Sequence, residues 1–191
     1  MQLLEAIKER CSVRKYKDKS VKITDVLEIL DAAKEAPSSG NLQNWRFVIV
    51  TDEEKRKEIS VACLRQMWML EAPVHVVVCN DPHEVIDEYE DRGKKYAVQN
   101  CAIVSQNIML AALEHKIGSC FVAAFDDFAI KRILRIPDDI DVEAVITLGY
   151  ADEDEHEKKY GLEILTFVNE FGNSKLPDKN IVKDVLKRLK K

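Results

Sequence analysis

The chain has 191 residues, 46% hydrophobic and 33% charged, which is enough apolar material for one sizeable core and excludes global disorder. Its net charge of −5 speaks against nucleic acid as a main partner, because duplex-binding domains carry a basic excess. The five cysteines, 11, 63, 79, 101 and 120, are widely spaced with no CxxC, which argues against a disulfide framework or a zinc site and fits the reduced thiols of a cytoplasmic protein.

Leu3, Leu4 and Ile7 share one face of a predicted helix over 2–9, and the charges from Glu5 onward leave no apolar run for a secretory signal. Residues 11–21 lack apolar periodicity and read as an extended loop. Thr24 is the expected cap of a second helix with Val26, Leu27, Leu30 and Ala33 as its buried stripe. Pro37 ends that helix, and Ser38-Ser39-Gly40-Asn41 is a loop by composition. Residues 47–50 predict a strand and 53–65 a charged amphipathic helix. The apolar run 74–79, bounded by Pro73 and Asn80-Asp81-Pro82, predicts an interior strand.

Residues 96–113 carry no charge and are long enough to span a bilayer, but Gln99, Asn100, Ser105, Gln106 and Asn107 would be costly in lipid. They predict a helix over about 95–115 that is buried on nearly all sides, with Gly118 marking the turn after it. A third strand is expected over 120–124, a helix capped by Asp126 and running to Leu134, and a fourth strand over 142–149. Residues 151–160 read as a charged surface loop. Ile181, Val182, Val185, Leu186 and Leu189 predict an amphipathic helix over about 179–190. The whole pattern is α+β in a single domain, 1–191, with long helices covering the sheet.

The six glycines stand so far apart that no two lie within ten residues, which excludes GxGxxG, the P-loop and GxSxG. The four histidines form neither HExxH nor HxH, so no spacing suggests a metal. Two segments do suggest chemistry. In an extended 10–14 segment, Arg10, Ser12 and Arg14 point the same way, and two guanidinium forks with a hydroxyl suit a phosphate dianion. A solvated basic stretch is the alternative, since Lys15, Lys17 and Lys19 follow. In 37–47, Ser38, Ser39, Asn41 and Gln43 can bind a polyol or a heterocycle edge, with Trp45 and Phe47 anchoring the next strand. An ordinary helix-to-strand turn with a buried tryptophan is the alternative there.

Taken together, RxSxR after a first helix and PSSxNxQxW about 25 residues later resemble the nitroreductase family of FMN-dependent oxidoreductases. The likeness continues through 96–113, Ile117-Gly118-Ser119-Cys120-Phe121, Val122-Ala123-Ala124-Phe125-Asp126, Ile136-Pro137 and Leu148-Gly149-Tyr150. It covers residues 3 to about 172. It implies a central, mainly antiparallel sheet of about four to five strands flanked by helices, in a homodimer with flavin at the subunit interface. By resemblance, Arg10, Cys11, Ser12 and Arg14 hold the phosphate and ribityl end of FMN. Pro37, Ser38, Ser39, Asn41 and Gln43 reach the flavin from the partner subunit. The backbone at Val122, Ala123 and Ala124 lies near the flavin N5 edge, and Lys159 stands where the family often has a phosphate-facing arginine. The chain departs from the pattern where Asn44 replaces a proline, Ala123 and Ala124 replace glycine, and Lys159 replaces arginine.

The implied activity is a ping-pong one. NADH or NADPH reduces bound FMN, and a nitroaromatic, quinone or similar small acceptor is then reduced, with no dedicated catalytic side chain and no metal. Dehalogenation or desaturation on the same fold, with a lid from 66–69 or 89–96, is the alternative, and a non-catalytic flavin-binding protein is another. Neither a membrane nor a nucleic-acid partner is implied.

Overall fold

The largely apolar segment at 74–80 forms β2 (Val74–Asn80), and every residue in it is buried because the strand lies inside a sheet covered on both faces. The computed structural model describes residues 2–153 and 156–174. The chain divides into two compact units, Met1–His156 and Glu157–Lys191.

In the first unit, β1 (Trp45–Val50), β2, β3 (Gly118–Val122) and β4 (Asp141–Gly149) form one sheet in the order β1-β2-β4-β3, with every neighbouring pair antiparallel. On one face, Val76 and Val78 of β2 and Ile146 of β4 pack against α2 (Ile23–Ala33) and α5 (Gly93–Glu114). On the other, Val77 and Val145 pack with Ile59 of α3 (Glu53–Ala62) and Ile130 of α6 (Asp127–Leu134). Between β2 and β4 the register slips: Val78 pairs with Ala144 but Cys79 with Val142, so Glu143 is the extra residue of a β-bulge. The bulge breaks the alternation of β4. Val142 joins the α3–α6 side with Val145, although Ala144, Ile146 and Leu148 face the other way.

The structure corrects several sequence expectations. Helix α1 (Leu3–Glu9) forms, yet Leu3, Leu4 and Ile7 are all exposed and Ala6 is its buried residue. Helix α2 begins at Ile23 with Lys22 at the cap position, so Thr24 lies inside the first turn and caps nothing. Its buried stripe is Val26, Ile29, Leu30 and Ala33, the i, i+3, i+4, i+7 set, which turns Leu27 to solvent. The turn after α5 is made by Lys116 in the left-handed region (φ 58°). Gly118 instead opens β3, where a β-carbon would stand 2.8 Å from Val13 Cγ2. Helix α5 is not buried on nearly all sides within one chain. Ala97, Cys101, Val104, Ile108 and Ala112 face the sheet side, whereas Val98 and Ile103 are exposed.

Asp126 caps α6 as expected, accepting the Ala129 N–H at 3.1 Å. Helix α4 (His83–Tyr89), which the sequence reading leaves out, docks on the start of α5. Among the described residues no helix is long and apolar enough to cross a membrane. The second unit contains α7 (Leu162–Leu165) and a Phe167–Phe171 ring contact at 4.6 Å. The expected helix over 179–190 lies outside the described residues.

Candidate functional site

The segment following α1 runs extended along the outer edge of β3. Val13 N–H donates to the Ser119 carbonyl at 3.0 Å, Lys17 N–H donates to the Tyr150 carbonyl at 2.8 Å, and Tyr16 bridges to Ala151. Tyr16 locks this strap in place. Its buried hydroxyl donates to the Val13 carbonyl at 2.7 Å and lies 2.7 Å from Thr147 Oγ1, and its own N–H donates to Glu71 Oε2 at 3.0 Å. Burial raises the Tyr16 phenol well above its usual pKa, so it stays neutral.

With Val13 turned inward, the alternation of extended backbone over 10–14 places Arg10, Ser12 and Arg14 on the other side, and the alternation breaks before the buried Tyr16. The Arg14 and Arg10 charges and the Ser12 hydroxyl all act on Cys120 of β3. Burial raises the Cys120 thiol, while the Arg14 charge, a hydrogen bond from Ser12 and the Arg10 charge all act to lower it. A cleft of about 370 Å³ opens beside the strap, lined among others by Arg10, Cys11, Ser119, Lys116 and His156. Lys116 and His156 are not among the expected site residues. Only the left-handed turn at Lys116 and the chain's return past Ala151 bring them here, and neither carries a local motif.

The strap shares its edge with Val122, Ala123 and Ala124, at the end of β3. Val122 is buried and can offer a ligand only its backbone, whereas Ala123 and Ala124 are exposed. Gln66 Nε2 reaches the Ala124 carbonyl at 3.5 Å.

The second segment lies elsewhere. Pro37, Ser38, Ser39, Asn41 and Gln43 precede β1, at the opposite edge of the sheet from β3. Three strand spacings, roughly 14 Å, separate the two edges. A 3₁₀ turn over Ser39–Asn41 shapes the loop, with Gly40, Asn41 and Gln43 all at positive φ (58°, 58° and 46°). Gln43 N–H donates to Ser38 Oγ at 3.1 Å and Gln43 Nε2 to the Asn41 carbonyl at 2.9 Å. Ser39 N–H donates to Asn100 Oδ1 of α5 at 3.0 Å. Asn41 and Gln43 are exposed, so their remaining polar atoms face outward. Asn44, where the sequence departs from the family pattern, is 2% exposed and bonds to both Asn80 and Asn100. Lys159 is an exposed residue of the second unit.

A family model described as the nitroreductase family matches residues 7–69 and 60–150. A protein of Archaeoglobus fulgidus, provisionally named NADH dehydrogenase/NAD(P)H nitroreductase, is 35% identical over 155 residues, spanning 79% of this chain and 86% of that protein. The solved structure of an FMN-dependent nitroreductase from Clostridium difficile is similar at 30% identity and TM-score 0.73, covering 88% of this chain and 99% of that one. A nitroreductase family protein from Clostridium novyi is similar at 26% identity and TM-score 0.74, over 94% and 99% of the two chains.

Proposed function

The chain belongs to the nitroreductase family, and from that premise we propose that it is a dimeric, FMN-dependent NAD(P)H oxidoreductase acting on a nitroaromatic, quinone or similar acceptor. The observation that carries the reading is the strap pinned along the outer edge of β3 by Val13 and Tyr16, which sets Arg10, Ser12 and Arg14 on the edge that leads to the 122–124 backbone. Two arginines and a hydroxyl on one short strap are a donor set for a phosphate dianion, which fits the cofactor's charged end. Cys11, on the same strap, lines the adjoining cleft.

FMN, when bound, would supply hydride and two-electron chemistry between NADH or NADPH and the acceptor. The chain's part is to bind and orient. Arg10 and Arg14 would neutralise the phosphate, Ser12 would donate to it, and the 122–124 backbone would offer its amide groups to the flavin. Lys159, which the family resemblance assigns to the phosphate, could supply a point charge but not the planar fork of an arginine. No side chain is assigned a proton-transfer role.

The opposite-edge placement of strap and loop supports a shared site, in which the Pro37, Ser38, Ser39, Asn41 and Gln43 loop of one subunit meets the flavin held by the strap of its partner. The exposed Val98 and Ile103 of α5 supply apolar surface for such an interface. A cytoplasmic location belongs to the same reading, supported by the buried thiols of Cys63, Cys79 and Cys101.

The test is a titration of flavin-free protein with FMN and with riboflavin, followed by NADH and NADPH oxidation in the presence of a nitroaromatic and a quinone. FMN should bind far more tightly than riboflavin, and nicotinamide oxidation should depend on added FMN. Equal affinity for the two flavins would sink the phosphate assignment.

A further inference from the structure

One unbroken line of hydrogen bonds runs from β4 to the 38–43 loop. Asn80 Nδ2 donates to Glu143 Oε1 at 2.6 Å, Asn44 Nδ2 donates to Asn80 Oδ1 at 2.6 Å, and Asn100 Nδ2 donates to Asn44 Oδ1 at 2.7 Å. The line ends at Asn100 Oδ1, which accepts the Ser39 N–H at 3.0 Å and the Ser39 hydroxyl at 3.3 Å. Every donor points toward Glu143. Asn44, Asn80 and Asn100 are each at most 2% exposed, so bulk water cannot stand in for a broken link.

The direction of this line has a cause. A carboxamide can be turned end for end, donor for acceptor, but an ionised carboxylate only accepts. Facing Glu143, Asn80 presents Nδ2 and so offers Oδ1 to Asn44. Asn44 in turn offers Oδ1 to Asn100, and Asn100 is left with Oδ1 toward Ser39. Reversed, Asn100 would meet the Ser39 N–H donor to donor, and Asn44 would lose its bond to the Ala97 carbonyl at 3.2 Å. Glu143 reaches Asn80 because it is the extra residue of the β4 bulge. In unbroken alternation it would lie on the opposite face from Ala144 and from Asn80's neighbour Val78. The loop also needs outside support, since Gly40, Asn41 and Gln43 all sit at positive φ.

We propose that Glu143, turned toward α5 by the β-bulge, is a positioning residue that sets the direction of the Asn80–Asn44–Asn100 relay and so holds Ser39 and the 38–43 loop in their ligand-ready shape. The relay itself stands on geometry alone, while its link to FMN rests on the loop's part in the function proposed above.

The test compares Glu143→Gln with Asp141→Asn in the full chain. The substituted glutamine keeps the shape and can still accept from Asn80, but as a neutral carboxamide that can also present a donor, so the β4 end no longer holds the relay in one direction by charge. Asp141→Asn removes a neighbouring, 62% exposed charge that is outside the relay. Hydrogen exchange is read by NMR at the Ser39 amide and at the Val77 amide of central β2, and FMN affinity by fluorescence titration. In Glu143→Gln the Ser39 amide should exchange about tenfold faster, the difference between a charge-assisted and a neutral hydrogen bond, with Val77 and the Asp141→Asn variant unchanged. Unchanged Ser39 exchange overturns the relay. An equal acceleration at Val77 reports general destabilisation and also overturns it. Faster Ser39 exchange with weaker FMN binding supports the whole proposal. Faster exchange with unchanged FMN affinity supports the relay and overturns the loop's role in the flavin site.

Discussion

If Arg10 and Arg14 grip the phosphate as proposed, replacing both by alanine should strip the cofactor while the fold survives. Neither side chain is part of the Tyr16 lock that holds the strap to β3. Each charge-assisted contact is worth roughly 1.5–3 kcal/mol, so the double variant should bind FMN at least about a hundredfold more weakly at an unchanged melting temperature. Asn41 calls for a different substitution. Alanine would strain its positive φ, whereas Asn41→Gly removes the amide and keeps the backbone. That variant should weaken FMN binding about tenfold with little loss of stability, measured by titration and thermal melting. His75 reports on pH instead. It is fully buried, its Nε2 lies 2.9 Å from the Met69 carbonyl, and burial pushes its pKa down to about 4, with Arg56 adding to the shift. The unfolded imidazole titrates near 6.5, so the unfolded chain takes up this proton first as pH falls. Stability from the neutral ring is complete above about pH 6.5 and is lost on the way down to about 4, in all about 3 kcal/mol. Urea unfolding at about pH 7 and about pH 4.5 should show a shallower acid loss in His75→Gln than in the native protein.

The meeting of α4 and α5 gives a prediction about elements. A β-carbon on Gly93 would stand 2.4 Å from Ile86 Cα and 2.6 Å from the Val85 carbonyl oxygen, both backbone atoms that cannot rotate away. Gly93→Ala should therefore cost about 1–3 kcal/mol, seen as a lower urea midpoint at constant slope, despite alanine's better helix propensity. The same junction shows what the sequence conveys and what it hides. β2 is readable because its valines and cysteine, interrupted only by His75 and closed off by turn signals, admit little else, and Asp126 is readable because its capping bond is local. The extended course of 10–14 is readable because the segment lacks apolar periodicity, and its alternation is then a property of the backbone. The bulge at Glu143 is not readable, since VEAV alternates as well as any regular strand and only the pairing with β2 reveals the extra residue. Gly118 misleads for the same reason. A glycine after a helix suggests a turn, but here it admits Val13 from a segment far earlier in the chain. Asn44 is plain as a departure from the family pattern, yet its part in the relay depends on Asn80 and Asn100, which are distant in sequence.

At the scale of the molecule, one subunit leaves apolar surface uncovered on α5 at Val98 and Ile103 and on α1 at Leu3, Leu4 and Ile7. If those faces close a dimer around two shared sites, FMN binds only the assembled state and should strengthen it by mass action. Sedimentation at low concentration should then show more dimer with FMN than without. A monomer of about 22 kDa that retains flavin would refute the shared site.

If each site takes its strap from one subunit and its loop from the other, as proposed, damage to strap and loop should be separable between genes. A subunit with Arg10→Ala and Arg14→Ala still carries an intact loop, and an Asn41→Gly subunit still carries an intact strap. When the two defective proteins are mixed, each hybrid dimer should gather both lesions into one site and leave the other native. Random pairing makes half of the dimers hybrids, so about a quarter of all sites should recover full flavin affinity, although neither parent has any such site. Two impaired alleles would then complement each other in one cell, through nothing more than the order of four strands.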